Sequence, residues 1–154
     1  MVRIQSANAD DVEAICAQLR AFNRQAIPGM AFVPVHLVAH DADGHRVGGL
    51  VGDIYLGWLS IDVLWVADTH RRAGIGSQLL RDAEALALAQ GARGVFLDSF
   101  DWQAGDFYLR HGFQVFGQLD DFPTGHARRF LRKPLTGPTV ATGATAQIVS
   151  TVRC

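Results

Sequence analysis

Apolar residues recur along this chain with period two in some stretches and near 3.6 in others, and the switches between the two periods mark its elements. Val2 to Ser6 alternates enough to predict a first strand, with Val2 and Ile4 inward. Val12, Ile15, Cys16, Leu19 and Phe22 then fall on one face of a helix as a buried stripe. Asn8 is placed to cap that helix, Asp10 and Asp11 suit its first turn, and Pro28-Gly29 stops it. Val35 to His40 reads as a strand, Asp41 to Gly44 as a turn, and Val47 to Tyr55 as the return strand. Gly48, Gly49 and Gly52 interrupt that strand and permit a bulge. After Gly57 comes a long apolar strand, Trp58 to Val66.

The period then changes again. Ile75, Leu79, Leu80, Ala83, Leu86 and Ala87 share a helix face, and Gly91 ends that helix. Gly94 to Asp98 is a short strand, Ala104 to His111 a helix ended by Gly112, and Phe113 to Gly117 a strand. Leu119 to His126 is a polar loop, and Ala127 to Lys133 a last strand that pairs back on its predecessor. An antiparallel meander followed by strand, helix, strand implies a right-handed crossover and a parallel pair at the sheet centre. A ligand is expected at the carboxyl ends of that pair. Past Pro134 no period is sustained and the residues are mostly Thr, Ala, Gly and Val. One domain over 1–135 and a flexible tail over 136–154 are expected.

Composition narrows the function classes. Hydrophobic residues make up 49% and charged ones 19%, as in a compact soluble domain, and the formal net charge of −1 supplies no basic field for nucleic acid. The basic group Arg128, Arg129, Arg132 and Lys133 reads as a solvated strand face. No apolar run is long enough to span a membrane, and no signal peptide is evident. Two cysteines indicate no disulfide framework, Cys16 reading as a buried free thiol. A cytoplasmic location is therefore expected. Metal binding has little support, because the histidines are scattered and only His36 and His40 share a strand spacing.

The densest chemistry lies between the central strand and its helix, in VLWVADTHRRAGIGSQLL, Val63 to Leu80. Gly74 and Gly76 at a helix start let backbone approach a ligand closely. The first helical N–H groups have no internal partner and sit at the positive end of the helix dipole. With Arg71 and Arg72 beside them they form a cradle for a phosphate or pyrophosphate, although the two glycines alone would equally serve a turn. A third glycine at the dinucleotide-fold spacing is missing, as is the Gly-Lys-Ser/Thr of nucleotide hydrolases.

The block Val66-x-x-x-x-Arg71-x-x-Gly74-x-Gly76 resembles the acyl-CoA signature of the GCN5-related N-acetyltransferases (GNAT), an Arg or Gln, two residues, Gly, one residue, then Gly or Ala. Phe107-Tyr108-Leu109-Arg110-His111-Gly112-Phe113 resembles the family's later helix and its Gly-Phe step. Asp68 stands where the family often has Pro. The resemblance spans roughly Val2 to Leu135 and is most specific from Trp58 to Phe113. It implies a mixed α/β (α+β) fold: a largely antiparallel sheet of six to seven strands, a central parallel pair splayed at the coenzyme site, and helices on both faces.

It also implies transfer of an acetyl group from acetyl-CoA, the co-substrate, to a primary amine by direct attack in a ternary complex, without a metal. Backbone from Arg71, Arg72, Ala73, Gly74, Ile75, Gly76 and Ser77 would hold the pyrophosphate, with Leu64, Trp65, Val66 and Phe107 along the rest of the coenzyme. The Val66 N–H would polarise the thioester carbonyl. Tyr108 would be the general acid at the leaving sulfur. Asp62 is a candidate general base, placed by strand alternation on the side of Leu64 and Val66, with Asp53, Asp120, Asp121 and His126 as rivals. Asn23, Arg24, Gln25 and Met30 would border the acceptor, a small-molecule or protein amine. A homodimer is compatible with an open edge near the C-terminal strands. Two rival readings stay open: a non-catalytic acyl-CoA-binding sensor and a nucleotide-binding interaction module.

Overall fold

Six strands form one sheet in the order β1-β2-β3-β4-β6-β5 in the computed structural model, which describes residues 1–104 and 106–136. The chain runs α1 (Ala9–Ala26), β1 (Val33–His40), β2 (Arg46–Tyr55), β3 (Trp58–Val66), a short 3₁₀ turn (Asp68–His70), α2 (Ile75–Ala89), β4 (Gly94–Phe100), α3 (Phe107–Arg110), β5 (Gln114–Asp120) and β6 (Ala127–Pro134). All neighbouring strands are antiparallel except β3 and β4, the parallel pair on either side of the crossover helix α2. β6 pairs back on β5 as expected, and it also inserts between β5 and β4. The mixed, mostly antiparallel sheet with a central parallel pair is the architecture that the sequence implies.

α2 packs across β1, β2 and β3. Leu79, Leu80, Ala83 and Ala87 are its buried residues. They meet Leu50, Leu59 and Val95, which with Leu80 are the largest fully buried side chains. Ala83 and Ala87 add little bulk, so the helix axis can sit close to the sheet. Leu86, expected on this face, is half exposed instead. Lys133 on β6 donates from Nζ to both carboxylate oxygens of Glu84 on α2, at 2.8 and 2.7 Å, and so ties the far half of the sheet to the same helix.

Two expectations at the N-terminal end fail. Val2 to Ser6 forms no strand, and Val2 and Ile4 are exposed. The sheet ends at β1, which carries Pro34, a residue that sheets confine to edge strands. The helix α1 begins where its cap predicts, with Asn8 and Asp11 exchanging side chain-to-backbone bonds of 2.9 and 3.0 Å. Its stripe is not buried, however. Val12, Ile15, Leu19 and Phe22 lie at least half exposed and only Cys16 is buried. Periodicity identifies an apolar face but not the surface that covers it. Cys16 is also disulfide-bonded, where a free thiol was expected. The expected tail, 136–154, lies outside the described residues apart from its first position.

One irregularity controls the centre of the sheet. Val51 pairs with Val63 and Gly52 with Ile61, so Asp62 is an extra residue in β3, a β-bulge. A Cβ on Gly52 would stand 2.3 Å from the Ser60 carbonyl oxygen, so only glycine fits opposite the bulge. Below the bulge β3 pairs with β4, from Trp58–Gly94 to Ile61–Leu97, and there the pairing stops. Above it β3 keeps β2 and β4 keeps β6, and the two strands diverge. Gly52→Ala should lower unfolding stability by about 1–3 kcal/mol, the usual effect of overfilling a packed site. Urea unfolding followed by circular dichroism checks this.

Candidate active site

The gap between the diverging strands opens into a cleft of about 900 Å³. One wall is β3 from Ile61 to Val66 with the turn and first residues of α2. The other is β4 from Leu97 to Ser99 with Trp102, Gln103, Ala104 and the helix α3. The cleft lies at the carboxyl ends of the parallel pair, as the topology requires.

The backbone of β3 arms the first wall. Ala67 N–H donates to the Val47 carbonyl of β2 at 2.9 Å. Strand groups alternate, so Trp65 also points its N–H and C=O at β2, and Leu64 and Val66 point theirs into the gap. Those two residues thus offer a free strand edge inside the cleft, the geometry needed to bond an extended ligand by strand addition.

The turn and α2 form the base of this wall. Gly74, the residue before the helix, has φ +82°, and Arg72 before it has φ +66°. No side chain caps α2 and its first turn holds no acidic residue. The first hydrogen bond to close on this turn is Gln78 N–H to the Gly74 carbonyl. The N–H groups of Ile75, Gly76 and Ser77 therefore have no partner within the helix, and the dipole adds to their attraction for an anion. A Cβ on Gly76 would find only ordinary contacts, 3.5 Å from the Phe107 ring and 3.6 Å from Val66. The protein's own packing does not demand glycine there, and Gly76 presents bare backbone to the cleft. Arg71 lines the cleft but also pairs with Asp68 at 2.7 Å. Both are exposed, so that pair contributes little. Among the expected coenzyme contacts only Ala73 does not line the cleft.

His111 joins the two walls. Its Nδ1 lies 2.8 Å from the Phe107 carbonyl and its Nε2 lies 2.9 Å from Ser77 Oγ. A carbonyl only accepts, so Nδ1 carries the proton and, in the neutral ring, Nε2 accepts from the Ser77 hydroxyl. Ser77 thus lines the cleft while its side chain latches α3 to α2.

Tyr108 lines the cleft with 6% of its surface exposed, packed edge-on against Phe107 and Phe113. Burial pushes its phenol up to about 12. A raised phenol holds its proton throughout the neutral range, as a proton donor must and a base must not.

Asp62 reaches the cleft by a different route from the one alternation predicts. Leu64 packs against the core as Leu59 and Ile61 do, across the bulge. Asp62 and Val63 are both exposed, so the bulge breaks the alternation between Ile61 and Leu64, with Asp62 as the extra residue. None of its rivals lines the cleft. Asp120 accepts from Gln118 at 2.6 Å, Asp121 from the Gly125 N–H at 3.1 Å, and His126 is held 3.0 Å from Asp101. Asn23, Arg24, Gln25 and Met30 do not line it either.

Sequence reasoning missed Asp98, Ser99, Trp102, Gln103, Ala104, Arg110 and His111, all of which line the cleft. Asp98 and Ser99 had a usable signal, standing at the carboxyl end of the second parallel strand. Asp98 accepts from Arg128 Nε at 2.7 Å. Among the described residues one group has metal-ligand spacing, Asp41, Asp43 and His45, and it lies in the β1–β2 turn. There Asp41 accepts backbone bonds from Asp43 and His45, which hold its carboxyl below the usual range.

Residues 34–115, more than half of the chain, match the domain family described as Acetyltransferase (GNAT) domain. This chain belongs to the GNAT acetyltransferase family. It is similar to a blasticidin-S acetyltransferase of Streptomyces morookaense, at 37% identity over 86% of this chain and 96% of the relative. A crystal structure of an acetyltransferase from Bacillus cereus ATCC 14579 superposes with a TM-score of 0.82 at 34% identity, over 87% of this chain and 98% of that one. A putative acetyltransferase from Agrobacterium tumefaciens superposes with a TM-score of 0.76 at 30% identity, covering 88% and 98%. The protein is thus an N-acetyltransferase of the GNAT type. The residues present fit the acetyl-CoA such enzymes use, with unpartnered N–H groups for its pyrophosphate and a free strand edge for its arm.

The two glycines of the cradle should separate in effect. Gly74→Ala meets no atom within 4 Å but must hold φ +82°, and should cost about 1–2 kcal/mol of stability. Gly76→Ala should stay within about 0.5 kcal/mol of the parent. Parallel urea titrations of the two variants check the difference.

Proposed function

We propose that this enzyme acetylates a small-molecule primary amine by direct attack on acetyl-CoA in a ternary complex within the cleft. The observation that carries the proposal is the coincidence, at one strand divergence, of an inward-facing β3 edge, an uncapped α2 start and a buried, protonated Tyr108.

In this reading Ile75, Gly76 and Ser77 N–H groups hold the pyrophosphate. Leu64 and Val66 pair with the pantetheine arm, and the Val66 N–H receives the charge that grows on the thioester oxygen. The amine nitrogen bonds to the carbonyl carbon, and the carbon–sulfur bond then breaks. Tyr108 gives its proton to the departing sulfur, which leaves as the free thiol of CoA. Asp62, directly or through water, takes the proton that the amine loses and releases it to solvent, and a proton from solvent restores the phenol. The similarity to a blasticidin-S acetyltransferase favours a small antibiotic-like amine over a protein amine as acceptor. Tyr108 favours an enzyme over a silent sensor, because binding alone requires no acid beside the sulfur.

Acetyl-CoA at a hundredfold excess over its dissociation constant should stabilise the protein by about 2.7 kcal/mol, and ATP or NAD should not match it. Thermal unfolding with each compound is the check, and equal shifts would favour a general phosphate site.

Tyr108→Phe should lower kcat by about 10²-fold while the KM for acetyl-CoA stays nearly constant. With the phenol raised to about 12, Tyr108 is protonated at every working pH, so the parent should show no alkaline fall in kcat below pH 10 from this group. Thiol release measured across pH tests both points. An unchanged kcat in the variant would remove Tyr108 from the reaction.

A further inference from the structure

We propose that Trp102 is an acceptor platform, a stacking surface by which the enzyme selects amines that carry a flat conjugated group. The proposal rests on the cleft being the acyl-transfer site. It goes beyond that reading by assigning the acceptor's chemical class and the residue that recognises it.

Trp102 lies two residues past the end of β4 and lines the cleft on the wall opposite the β3 edge and the α2 start. The coenzyme contacts are concentrated on that opposite wall. Trp102 keeps 52% of its surface exposed, a large apolar ring left open inside a concave site. A ring with no task there would be expected to swing against the surface, yet this one is held in place. Its indole stacks on Phe100 with centroids 4.4 Å apart and planes 14° apart, and Phe100 in turn lies nearly parallel to Phe122, at 6.0 Å and 5°. His126 meets the indole edge-on at 4.8 Å.

The backing of the stack is fixed as well. Arg128 places its guanidinium 5.6, 5.7 and 5.6 Å from the rings of Phe100, Phe122 and Phe130, and Asp98 balances its charge at 2.7 Å. Asp101 binds the turn that carries Trp102 to the start of β6. Its N–H donates to the Ala127 carbonyl, and its carboxylate accepts from Ala127 N–H and lies 3.0 Å from His126 Nδ1. Burial pushes the Asp101 carboxyl up, but these bonds outweigh it and hold the group below the usual range. Two loops thus lock together to present one indole, and a surface fixed in advance costs a ligand little ordering on binding. Trp is also the side chain that best attracts a cation or an electron-poor ring over its face.

Steady-state thiol release with acetyl-CoA tests the assignment, using blasticidin S as an amine bearing a pyrimidine ring and spermidine as an amine without one. Trp102→Ala should raise the KM for blasticidin S roughly tenfold more than that for spermidine, in keeping with the stacking of a base on an aromatic side chain. The KM for acetyl-CoA should stay within about twofold, and Trp102→Phe should recover most of the loss. Equal effects on the two amines overturn the platform, as does a change carried by acetyl-CoA, which would place the indole against the coenzyme. If the parent turns over neither amine, the small-molecule acceptor reading fails. The platform is then judged by tryptophan fluorescence of the CoA-saturated protein titrated with blasticidin S. Saturable quenching that Trp102→Phe removes supports it, and no quenching in the parent overturns it.

Discussion

The structure depends on a break in pairing between two neighbouring strands. In a continuous sheet β3 and β4 would satisfy each other along their whole length, and the centre of the molecule would be closed. Here pairing stops at Ile61 and Leu97, one step before the bulge at Asp62. Backbone groups left unpaired in a protein interior are costly, so the break persists only because each strand keeps its other neighbour and the gap admits solvent or a ligand. The inward backbone of Leu64 and Val66, the open start of α2 and the exposed indole all owe their position to that divergence.

Holding two strands apart requires ties elsewhere. α2 crosses below the divergence and fixes β3 through its buried face. Glu84 and Lys133 bind the same helix to the far half of the sheet, and His111 joins α3 to the first turn of α2. The cleft is therefore framed by one helix that touches both of its walls. This accounts for cleft-lining groups that sit on short loops and single turns, yet are placed by long, well-packed elements.

Much of this was legible in the sequence where function depends on consecutive residues. The strand, turn and helix from Val63 to Leu80 carry their own periodicity and their glycines, and the step from Tyr108 to Phe113 ends a helix by its own chemistry, with Gly112 at φ +84°. The parallel β3–β4 pair followed from the handedness of its crossover, but the insertion of β6 between β4 and β5 did not. What was not legible is what the fold brings together from a distance. Asp98, Trp102 and His111 are held at the cleft by contacts with residues distant in the chain: Arg128, His126 and Ser77. Alternation could not carry the strand's phase across Asp62, because one extra residue reverses it and nothing local announces the shift beyond a glycine in the partner strand. The stripe on α1 and the alternation from Val2 to Ser6 are equally regular, yet neither is buried, since a local period carries no information about its counterpart.

The insertion of β6 between β4 and β5 has a consequence for how the molecule comes into being. Neighbours in the sheet here are not neighbours along the chain, so one side of β4 has no partner until residues 127–134 have been made. During synthesis the β1–β2–β3 meander and its helix can assemble early from nearby segments, whereas the second wall must wait for the last strand. The anion cradle would exist on the nascent chain before there is any site in which to use it, and maturation of the enzyme would coincide with a single late event, the docking of β6.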